Sequence, residues 1–246
     1  MFSGLFSRKT SLVGSSLLEG AVDNHSHLLP GVDDGVKTLE ESLYIMGWME
    51  KRGIRELWLT PHVMEDVPNT TQGLKDGFEA LKAAYKGGVR LHLAAEYMMD
   101  NLFQERLAQE DLLVHGNDWV LMETSVVAPP IDFWGMIEST MSAGYRPLLA
   151  HPERYAYMTP RDYSRLHQMG VLFQLNLPSI VGYYGDEVRA RAQDLLTRGW
   201  YNMAGSDCHR FRAVRHQYEA EELKKATVNL LRPLMVPRSE FDIPNA

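Results

Sequence analysis

Six short apolar runs in this chain each end in residue types that bind metals, and this pattern constrains the fold more than any other feature. Short apolar runs bounded by turn residues are typical of buried parallel strands. In a closed α/β barrel the carboxyl ends of all strands meet on one face. The pattern therefore predicts a barrel whose imidazoles and carboxylates gather at one end and bind more than one divalent cation. The residues that end the runs are His25 with His27, His62, Glu96, Glu123, His151, and Asp207 with His209.

Strand and helix patterns alternate along the chain. Thr38 and Thr159 are suited to cap two helices, because their hydroxyls accept hydrogen bonds from free backbone N–H groups. Repeated strand–helix–strand order indicates a parallel sheet with right-handed crossovers. Seven such units predict a distorted α/β barrel rather than an open doubly wound sheet, and no G-x-G-x-x-G follows the first strand to favour a dinucleotide fold. The predicted strands span 21–25, 55–60, 90–95, 118–123, 146–150, 171–175 and 201–206, and four predicted helices span 39–52, 71–86, 160–169 and 186–198.

Length and composition predict one domain. The 246 residues contain no long linker rich in Pro, Ser or Gly, and we expect residues 1–20 to form a leader segment and 21–246 the barrel. No apolar run is long enough to cross a membrane. A net charge of −7 argues against nucleic-acid binding. The single cysteine, Cys208, excludes an intrachain disulfide and predicts a reducing, cytoplasmic compartment.

Two pairs of candidate ligands share one spacing. His25 and His27 lie two residues apart, and so do Asp207 and His209. In extended backbone, residues two apart point to the same side. Both members of each pair can therefore reach one metal ion.

Four further acidic residues belong to the same pattern. Glu96 and Glu123 each end an apolar run, where a carboxylate is costly to bury unless it is paired or bound to metal. Asp33 and Asp34 lie in a turn that follows the first histidine pair. Their carboxylates either bind metal or merely shape the turn.

The remaining histidines do not end strands. His92 lies inside a predicted strand, His115 in a loop, His167 on a predicted helix, and His216 after a basic cluster. We predict structural or solvent-exposed roles for all four.

Cys208 is a poor candidate for a thiol nucleophile. A thiol phosphatase needs an arginine six positions after its cysteine, so that one loop surrounds the phosphate. Val214 occupies that position here, and Arg215 lies one residue too far along. We predict that Cys208 is a small buried side chain at a strand end.

A series of motifs resembles the PHP (polymerase and histidinol phosphatase) superfamily. Within it, the chain is similar to the bacterial capsular polysaccharide-type, manganese-dependent protein-tyrosine phosphatases, from about residue 21 to residue 215. The motifs are D-x-H-x-H-x-L-P-G-x-D-D-G at 23–35, T-P-H at 60–62, A-A-E-Y at 94–97, H-P-E-R-Y at 151–155, L-N-x-x-S-x-x-G-Y-Y-G at 175–185 and S-D-x-H at 206–209.

The resemblance implies a distorted (β/α)7 TIM-like barrel of the PHP type with three divalent ions, Mn²⁺ in the family and Fe or Zn as alternatives. It implies that Glu96 bridges two ions. The first would be bound by His25, His27, Glu96 and Asp207, the second by Glu96, Glu123 and His151, and the third by Asp34, His62 and His209.

The resemblance also implies catalytic residues and a substrate. Arg154, Asp207 and His209 would be catalytic, and Arg154 would bind phosphate together with Arg210, Arg212 or Arg215. The expected reaction is hydrolysis of phosphotyrosine by a metal-activated hydroxide. The expected substrate is the tail of a membrane tyrosine kinase that regulates capsule or exopolysaccharide synthesis, which would bring the protein to the inner face of the membrane.

Other functions stay open at this point. One alternative is a small-molecule phosphomonoesterase, such as a histidinol phosphatase. Another is a non-catalytic metal-binding regulator of an assembly complex. The tyrosines at 155, 157, 183 and 184 either flank the entry and stack on an aromatic substrate or pack at the barrel rim.

Overall fold

The seven predicted strands are present, and two of them are each divided in two. The structure is a computed structural model that describes residues 9–238. The second strand breaks at Pro61, which has no N–H to donate to a ladder. The third breaks near Ala95, whose N–H donates to the carbonyl of Leu113 at 3.2 Å and so leaves the ladder. The strands are β1 Val22–Asp23, β2 Glu56–Leu59, β3 His62–Val63, β4 Arg90–Leu93, β5 Glu96–Met98, β6 Trp119–Glu123, β7 Arg146–Ala150, β8 Leu172–Asn176 and β9 Met203–Gly205.

All paired strands are parallel, and they form one curled circuit of seven strand positions. One sheet has the strand order β1-β2-β4, and the other has the order β3-β5-β6-β7-β8-β9. The first and last positions are joined where the N–H of Asn24 donates to the carbonyl of Ala204 at 3.3 Å. A parallel bridge between Ser26 and Cys208 continues this contact. The predicted distorted (β/α)7 barrel is therefore confirmed, and the open doubly wound sheet is excluded.

The four predicted helices are confirmed within a few residues at each end. The Thr38 hydroxyl accepts a hydrogen bond from the N–H of Glu41, and Thr159 forms a reciprocal capping box with Asp162. Five further helices lie in the described part of the chain. The helices are α1 Leu39–Glu50, α2 Thr71–Ala84, α3 Asn101–Ala108, α4 Phe133–Ser142, α5 Pro160–Gln168, α6 Leu177–Ile180, α7 Asp186–Thr197, α8 Phe211–Glu219 and α9 Lys225–Leu231, with 3-10 turns at Val13–Ser15, Pro152–Arg154 and Arg232–Leu234.

Apolar side chains fill two layers. The larger core lies between the sheet and the surrounding helices. A smaller cluster fills the barrel interior, in which Trp58 lies with its ring centre 4.5 Å from those of both His92 and His115. The other buried members of the inner cluster are Val22, Ala94, Trp119, Leu121, Leu148, Ala150 and Met203. Because the interior is filled below, the ligand-type residues have room only at the carboxyl end of the strands.

The segment before β1 packs against the barrel over the residues that the structure describes. Thr10 and Leu223 form an antiparallel bridge with two backbone hydrogen bonds of 2.8 and 2.9 Å. Leu12, Leu17 and Leu18 are buried in the larger core. The predicted leader also includes residues 1–8, which lie outside the described part, and its boundary at residue 20 stays a prediction. Within residues 9–238, no helix combines the length and hydropathy needed to cross a membrane.

Candidate metal centre

All nine residues named as metal ligands from the sequence meet at the carboxyl end of the barrel. Those from the strands either end a strand or lie just beyond one, except His62 and Glu96, which begin β3 and β5 after the two strand breaks. Asp34 reaches the same region from the turn after β1. His151 and Asp207 have left-handed backbone, with φ of 34° and 51°, which turns their side chains away from the strand path.

Three donor atoms lie close together at the base of this cluster, and a fourth lies beside them. His25 Nε2 lies 3.1 Å from His27 Nε2, 3.2 Å from Glu96 Oε2 and 3.6 Å from Asp207 Oδ1. His27 Nε2 lies 3.3 Å from Glu96 Oε2 and 3.4 Å from Asp207 Oδ1. A tetrahedral ion with bonds of about 2.0–2.1 Å places its donors roughly 3.3 Å apart. The two imidazole nitrogens and Glu96 Oε2 match this spacing and could hold one cation, and Asp207 Oδ1 completes this first group.

Two neighbouring side chains fix which nitrogen of each histidine faces that point. His25 Nδ1 lies 2.9 Å from Gln174 Oε1, and His27 Nδ1 lies 2.8 Å from Asp33 Oδ2. Each Nδ1–H donates to its acceptor, which leaves the Nε2 lone pair free for a metal. Two such lone pairs 3.1 Å apart repel each other unless a cation lies between them. This arrangement is the strongest sign of a metal site in the described residues.

A second group of donors lies around Glu96 and Glu123. His62 Nδ1 is 3.2 Å from Glu96 Oε2 and 3.0 Å from Glu123 Oε1. This buried nitrogen makes no hydrogen bond with either carboxylate. His151 Nε2 lies 3.0 Å from Glu96 Oε1 and 3.8 Å from Glu123 Oε2. Glu96 thus offers one oxygen to the first group and both to the second, as expected for a bridging ligand.

A third group is the most exposed of the three. Asp34 Oδ1 lies 3.3 Å from His209 Nε2 and 3.5 Å from His62 Nε2. Residues able to hold an ion here also include His27, whose ring is stacked on that of His209 with centres 3.9 Å apart. His62 therefore takes part in two groups, one through each ring nitrogen, whereas the resemblance assigns it to a single ion.

Three residues outside the predicted set of nine ligands orient the candidate ligands. Asp33 accepts hydrogen bonds from the N–H groups of Gly35 and His62, at 2.9 and 3.1 Å, in addition to its contact with His27. Gln174 contacts His25, and Asn176 donates to Asp207 Oδ2 at 2.8 Å. Asp33 was weighed in the sequence as a ligand or a turn residue. Gln174 lies within the apolar strand β8, and Asn176 ends it. A polar residue in or at the end of an apolar strand is the sequence signal that could have identified both.

Two glycines allow the close approach that builds the first group. A Cβ on Gly205 would lie 2.4 Å from His25 Cβ, and one on Gly35 would lie 2.3 Å from the carbonyl oxygen of His27. Neither clash can be relieved by moving only the end of a flexible side chain. Glycine at 205 therefore lets the last strand approach the first behind His25, and glycine at 35 lets the turn after β1 approach His27.

The electrostatics of the cluster favour added positive charge. Burial alone would lower the pKa of His25, but the carboxylates of Glu96 and Asp207 raise it to about 9. Burial would raise the pKa of Glu96 and Asp207, yet the surrounding imidazoles hold both well below their usual range. The buried carboxylates thus stay ionised and attract a cation. Divalent metal ions meet this demand and leave the imidazoles neutral.

A cavity of about 330 Å³ opens above the ligands, and two of the four candidate phosphate-binding arginines line it. Arg154 Nη1 lies 3.1 Å from Asp207 Oδ2, and its guanidinium stacks 4.5 Å from the ring centre of Tyr184. Arg210 also lines the cavity. Arg212 is exposed and does not line it. Arg215 pairs with Glu219 at 3.0 Å and points elsewhere.

The family model for capsular polysaccharide synthesis proteins, CpsB/CapC, matches residues 21–228. The chain belongs to the CpsB/CapC family. The matched range contains all nine candidate ligands and both arginines that line the cavity. The resemblance found in the motifs is therefore confirmed at the level of the family.

Relatives of the chain carry phosphatase names. The tyrosine-protein phosphatase YwqE of Bacillus subtilis is 26% identical over 195 residues, which cover 76% of this chain and 77% of that protein. The tyrosine-protein phosphatase CpsB of Streptococcus agalactiae serotype V is 27% identical over 222 residues, which cover 82% and 88%.

Solved structures share the fold. One from a study of YwqE from Bacillus subtilis and CpsB from Streptococcus pneumoniae, described as metal-dependent tyrosine phosphatases, gives a TM-score of 0.75 at 22% identity and covers 92% of this chain and 100% of that one. The phosphotriesterase homology protein from Escherichia coli, with phosphate in its active site, gives 0.53 at 15% identity, with 86% and 95% covered.

The four histidines that do not end strands lie outside the cluster of candidate ligands and have the structural or solvent-exposed roles that were predicted. His92 Nε2 lies 2.9 Å from Glu56 Oε2, and His115 Nε2 donates to the carbonyl of Asn24 at 2.9 Å inside the barrel. His167 stacks on Trp200. His216 is exposed.

Cys208 lies within a CpsB/CapC motif but not among the donors. Its side chain is fully buried in the larger core, and burial raises the pKa of the thiol well above its usual value. A thiol that stays protonated is a weak nucleophile. This placement confirms the prediction of a small buried side chain.

The four tyrosines named from the sequence divide between two roles. Tyr155 is fully buried and donates to the carbonyl of Ala150 at 2.8 Å, so it packs within the rim. Tyr157 lies with its hydroxyl 2.5 Å from that of Thr124. Tyr183 and Tyr184 line the cavity of this CpsB/CapC chain, where an aromatic substrate would enter.

Proposed function

We propose that this protein is a metal-dependent protein-tyrosine phosphatase. One observation carries the proposal: donor atoms of His25, His27 and Glu96 lie 3.1–3.3 Å from one another beneath a cavity lined by two arginines, with Asp207 Oδ1 3.4–3.6 Å from both imidazole nitrogens. The tyrosine-protein phosphatase names of the relatives support the choice of reaction.

The donor set suits two or three divalent ions. Imidazole nitrogens and carboxylate oxygens together accept Mn²⁺, Fe²⁺ or Zn²⁺, and availability in the cell decides among them. We propose Mn²⁺ and three ions. When bound, such cations make hydroxide available near neutral pH and neutralise charge on the phosphoryl oxygens.

Residues of the cavity would bind the phosphoryl group of the substrate and balance its negative charge. The guanidinium of Arg154, held between Asp207 and Tyr184, would donate to the phosphoryl oxygens, and Arg210, which also lines the cavity, would do the same. Asp207 has two roles, because Oδ1 faces the imidazoles and Oδ2 holds Arg154. His209, whose Nε2 faces Asp34, would hold an ion at the cavity side, where the substrate arrives.

A polypeptide substrate agrees with the shape of the site. The cavity is lined by Tyr183 and Tyr184, and Tyr183 is 48% exposed. We propose that these rings stack on the phenyl ring of phosphotyrosine. We further propose that the phosphotyrosine belongs to the tail of a membrane tyrosine kinase of capsule or exopolysaccharide synthesis, which would place the protein in the cytoplasm at the inner face of the membrane.

The test combines metal analysis with turnover on one sample. We expect the purified protein to hydrolyse a phosphotyrosine peptide, to lose activity when a chelator has removed all metal, and to recover with Mn²⁺. Histidinol phosphate serves as the competing substrate, and faster turnover of it would favour the small-molecule alternative. Full activity in protein shown by metal analysis to be empty would exclude the mechanism. Metal binding without turnover of any aryl phosphate would indicate a regulator.

A further inference from the structure

The loop that follows β6 is apolar and exposed. Residues 125–131 contain no ionisable side chain. Val127 is 75% exposed and Ile131 is fully exposed, more than any other large hydrophobic side chain in the described residues. Single exposed apolar residues are common, but a contiguous group beside a cleft marks a binding surface.

This loop, which we call the 125–131 loop, is tied in place. The N–H of Ala156 donates to the carbonyl of Val126 at 2.9 Å, and the N–H of Val127 donates to Ser125 Oγ at 3.3 Å. Pro129 and Pro130 restrict the backbone further. The apolar side chains are thus presented to solvent by a fixed loop, and a ligand that covers them need not first order the loop.

A second cavity, of about 340 Å³, lies beside the 125–131 loop. Its walls include Ile131, Trp134 and Tyr157. Asp162 also lines it, but its carboxylate already accepts hydrogen bonds from the N–H and hydroxyl of Thr159, at 2.8 and 2.6 Å. The cavity therefore combines apolar side chains with an acidic group whose hydrogen bonds are already made within the protein.

The 125–131 loop lies close to the candidate active site. It begins two residues after Glu123, and Ala156, which anchors it, lies two residues after Arg154. A polypeptide whose phosphotyrosine enters the site and whose chain leaves on this side would pass over the loop. Extended chain advances about 3.3–3.6 Å per residue, so side chains a few positions from the phosphotyrosine reach the loop.

We propose that the 125–131 loop and its cavity bind an apolar side chain of the polypeptide substrate, a few residues from the phosphotyrosine. The inference rests on the proposed phosphatase function. Charge favours this occupant over a membrane surface, because the loop has no basic residue and is flanked by Asp132 and Asp162, which anionic lipids would repel.

The experiment compares substrates on exposed-residue variants. Phosphotyrosine peptides carry leucine or serine in turn at each of the three positions on either side of the phosphotyrosine, and p-nitrophenyl phosphate reports the chemistry alone. The variant is V127S/I131S, and the matched control is Leu230→Ser on α9, which is 39% exposed. We expect kcat/KM of the wild type to be higher with leucine at one or more positions. In V127S/I131S that preference should fall roughly 10-fold, by loss of one apolar contact. Turnover of p-nitrophenyl phosphate should stay within about twofold.

The outcomes separate this inference from the proposed function. A wild type that hydrolyses phosphotyrosine peptides with no preference for leucine would overturn the inference alone. Equal loss on every substrate, or the same loss in Leu230→Ser, would do so too. If the wild type binds anionic vesicles, V127S/I131S does not, and neither protein prefers leucine peptides, the loop would be assigned to a membrane instead. A metal-loaded wild type that hydrolyses no phosphotyrosine peptide would remove both proposals.

Discussion

Buried histidines at two levels of the barrel have opposite shifts in pKa. The upper layer is the group of candidate ligands at the carboxyl ends of the strands, and the lower layer is the inner apolar cluster around Trp58. His25, in the upper layer, and His115, in the lower layer, are both fully buried. Burial lowers the pKa of each, but the carboxylates of Glu96 and Asp207 reverse the effect for His25 and raise its pKa to about 9. For His115 burial is the largest influence, and it lowers the pKa to about 3.

The difference shows what separates a metal site from a core in this fold. Below, Trp58, Leu121 and Met203 fill the interior, and His115 serves as a neutral packing residue. Above, carboxylates at the strand ends concentrate negative charge that a cation must balance. Burial is therefore common to both layers, and the carboxylates decide which layer carries the chemistry.

Removing an imidazole from the upper layer should have the largest effect. We expect His25→Ala to lower turnover of phosphotyrosine peptide by about 1,000-fold or more, because the first group of donors loses one of its four atoms. The same variant should bind fewer ions per chain, measured by elemental analysis on the assayed sample. An unchanged metal count together with high activity would contradict the upper layer as a metal site.

Changing Asp33, which contacts the candidate ligand His27 but is not itself a candidate ligand, should lower activity less than removing a ligand does. Asp33→Asn keeps the size of the side chain but removes the charge that strengthens its hydrogen bond with His27 Nδ1, which is 2.8 Å long in the wild type. We expect a loss of roughly 10–100-fold in metal affinity, as is usual for such outer contacts. Titration of metal into the emptied protein measures it, and excess metal should restore part of the activity. Activity that excess metal cannot restore would indicate damage to the fold.

The gathering of the candidate ligands was predictable because their signal is local. Every candidate except Asp34 ends an apolar run, and strand ends of a barrel meet whatever the detailed register. Two capped helices were predictable for a similar reason, since Thr38 and Thr159 mark their starts. The cap that Asp100 provides for α3 was not recognised in the sequence. By contrast, α4, α8 and α9 begin at residues that make no side-chain cap hydrogen bond, so no local signal marked their starts.

Other features depend on distant residues and were not predictable. The contact of Gln174 with His25 joins positions 149 apart in the chain. The break before β5 depends on the hydrogen bond from Ala95 to Leu113, which no pattern near Ala95 indicates. Likewise, Arg210, Arg212 and Arg215 are equivalent in sequence, and only the direction of α8 places the first of them at the cavity.

Replacing His115 in the lower layer should change the pH dependence of the free energy of unfolding rather than the activity. The pKa of His115 is about 3 when folded and about 6.5 when unfolded, so the unfolded state binds the proton first as pH falls. The contribution of neutral His115 is therefore complete above about pH 6.5 and is lost progressively toward pH 3. We expect the free energy of unfolding of His115→Gln to depend less on pH than that of the wild type. The difference should be on the order of 3 kcal/mol between pH 7 and pH 4. Parallel stability curves for the two proteins, measured by urea unfolding, would contradict this account.

The smallest effect on chemistry is expected at Cys208, which lies between two residues of the upper layer and yet faces away from it. Asp207 and His209 contribute donor atoms to the cluster, whereas the side chain of Cys208 is fully buried in the larger core. Cys208→Ser places a hydroxyl among apolar groups and should lower the free energy of unfolding by roughly 1–3 kcal/mol. Turnover of an aryl phosphate, measured well below the unfolding temperature, should change less than about threefold, because the thiol contacts neither substrate nor ligand atoms. A loss as large as that of His25→Ala, in protein that thermal unfolding shows to be folded, would instead require the thiol in the reaction.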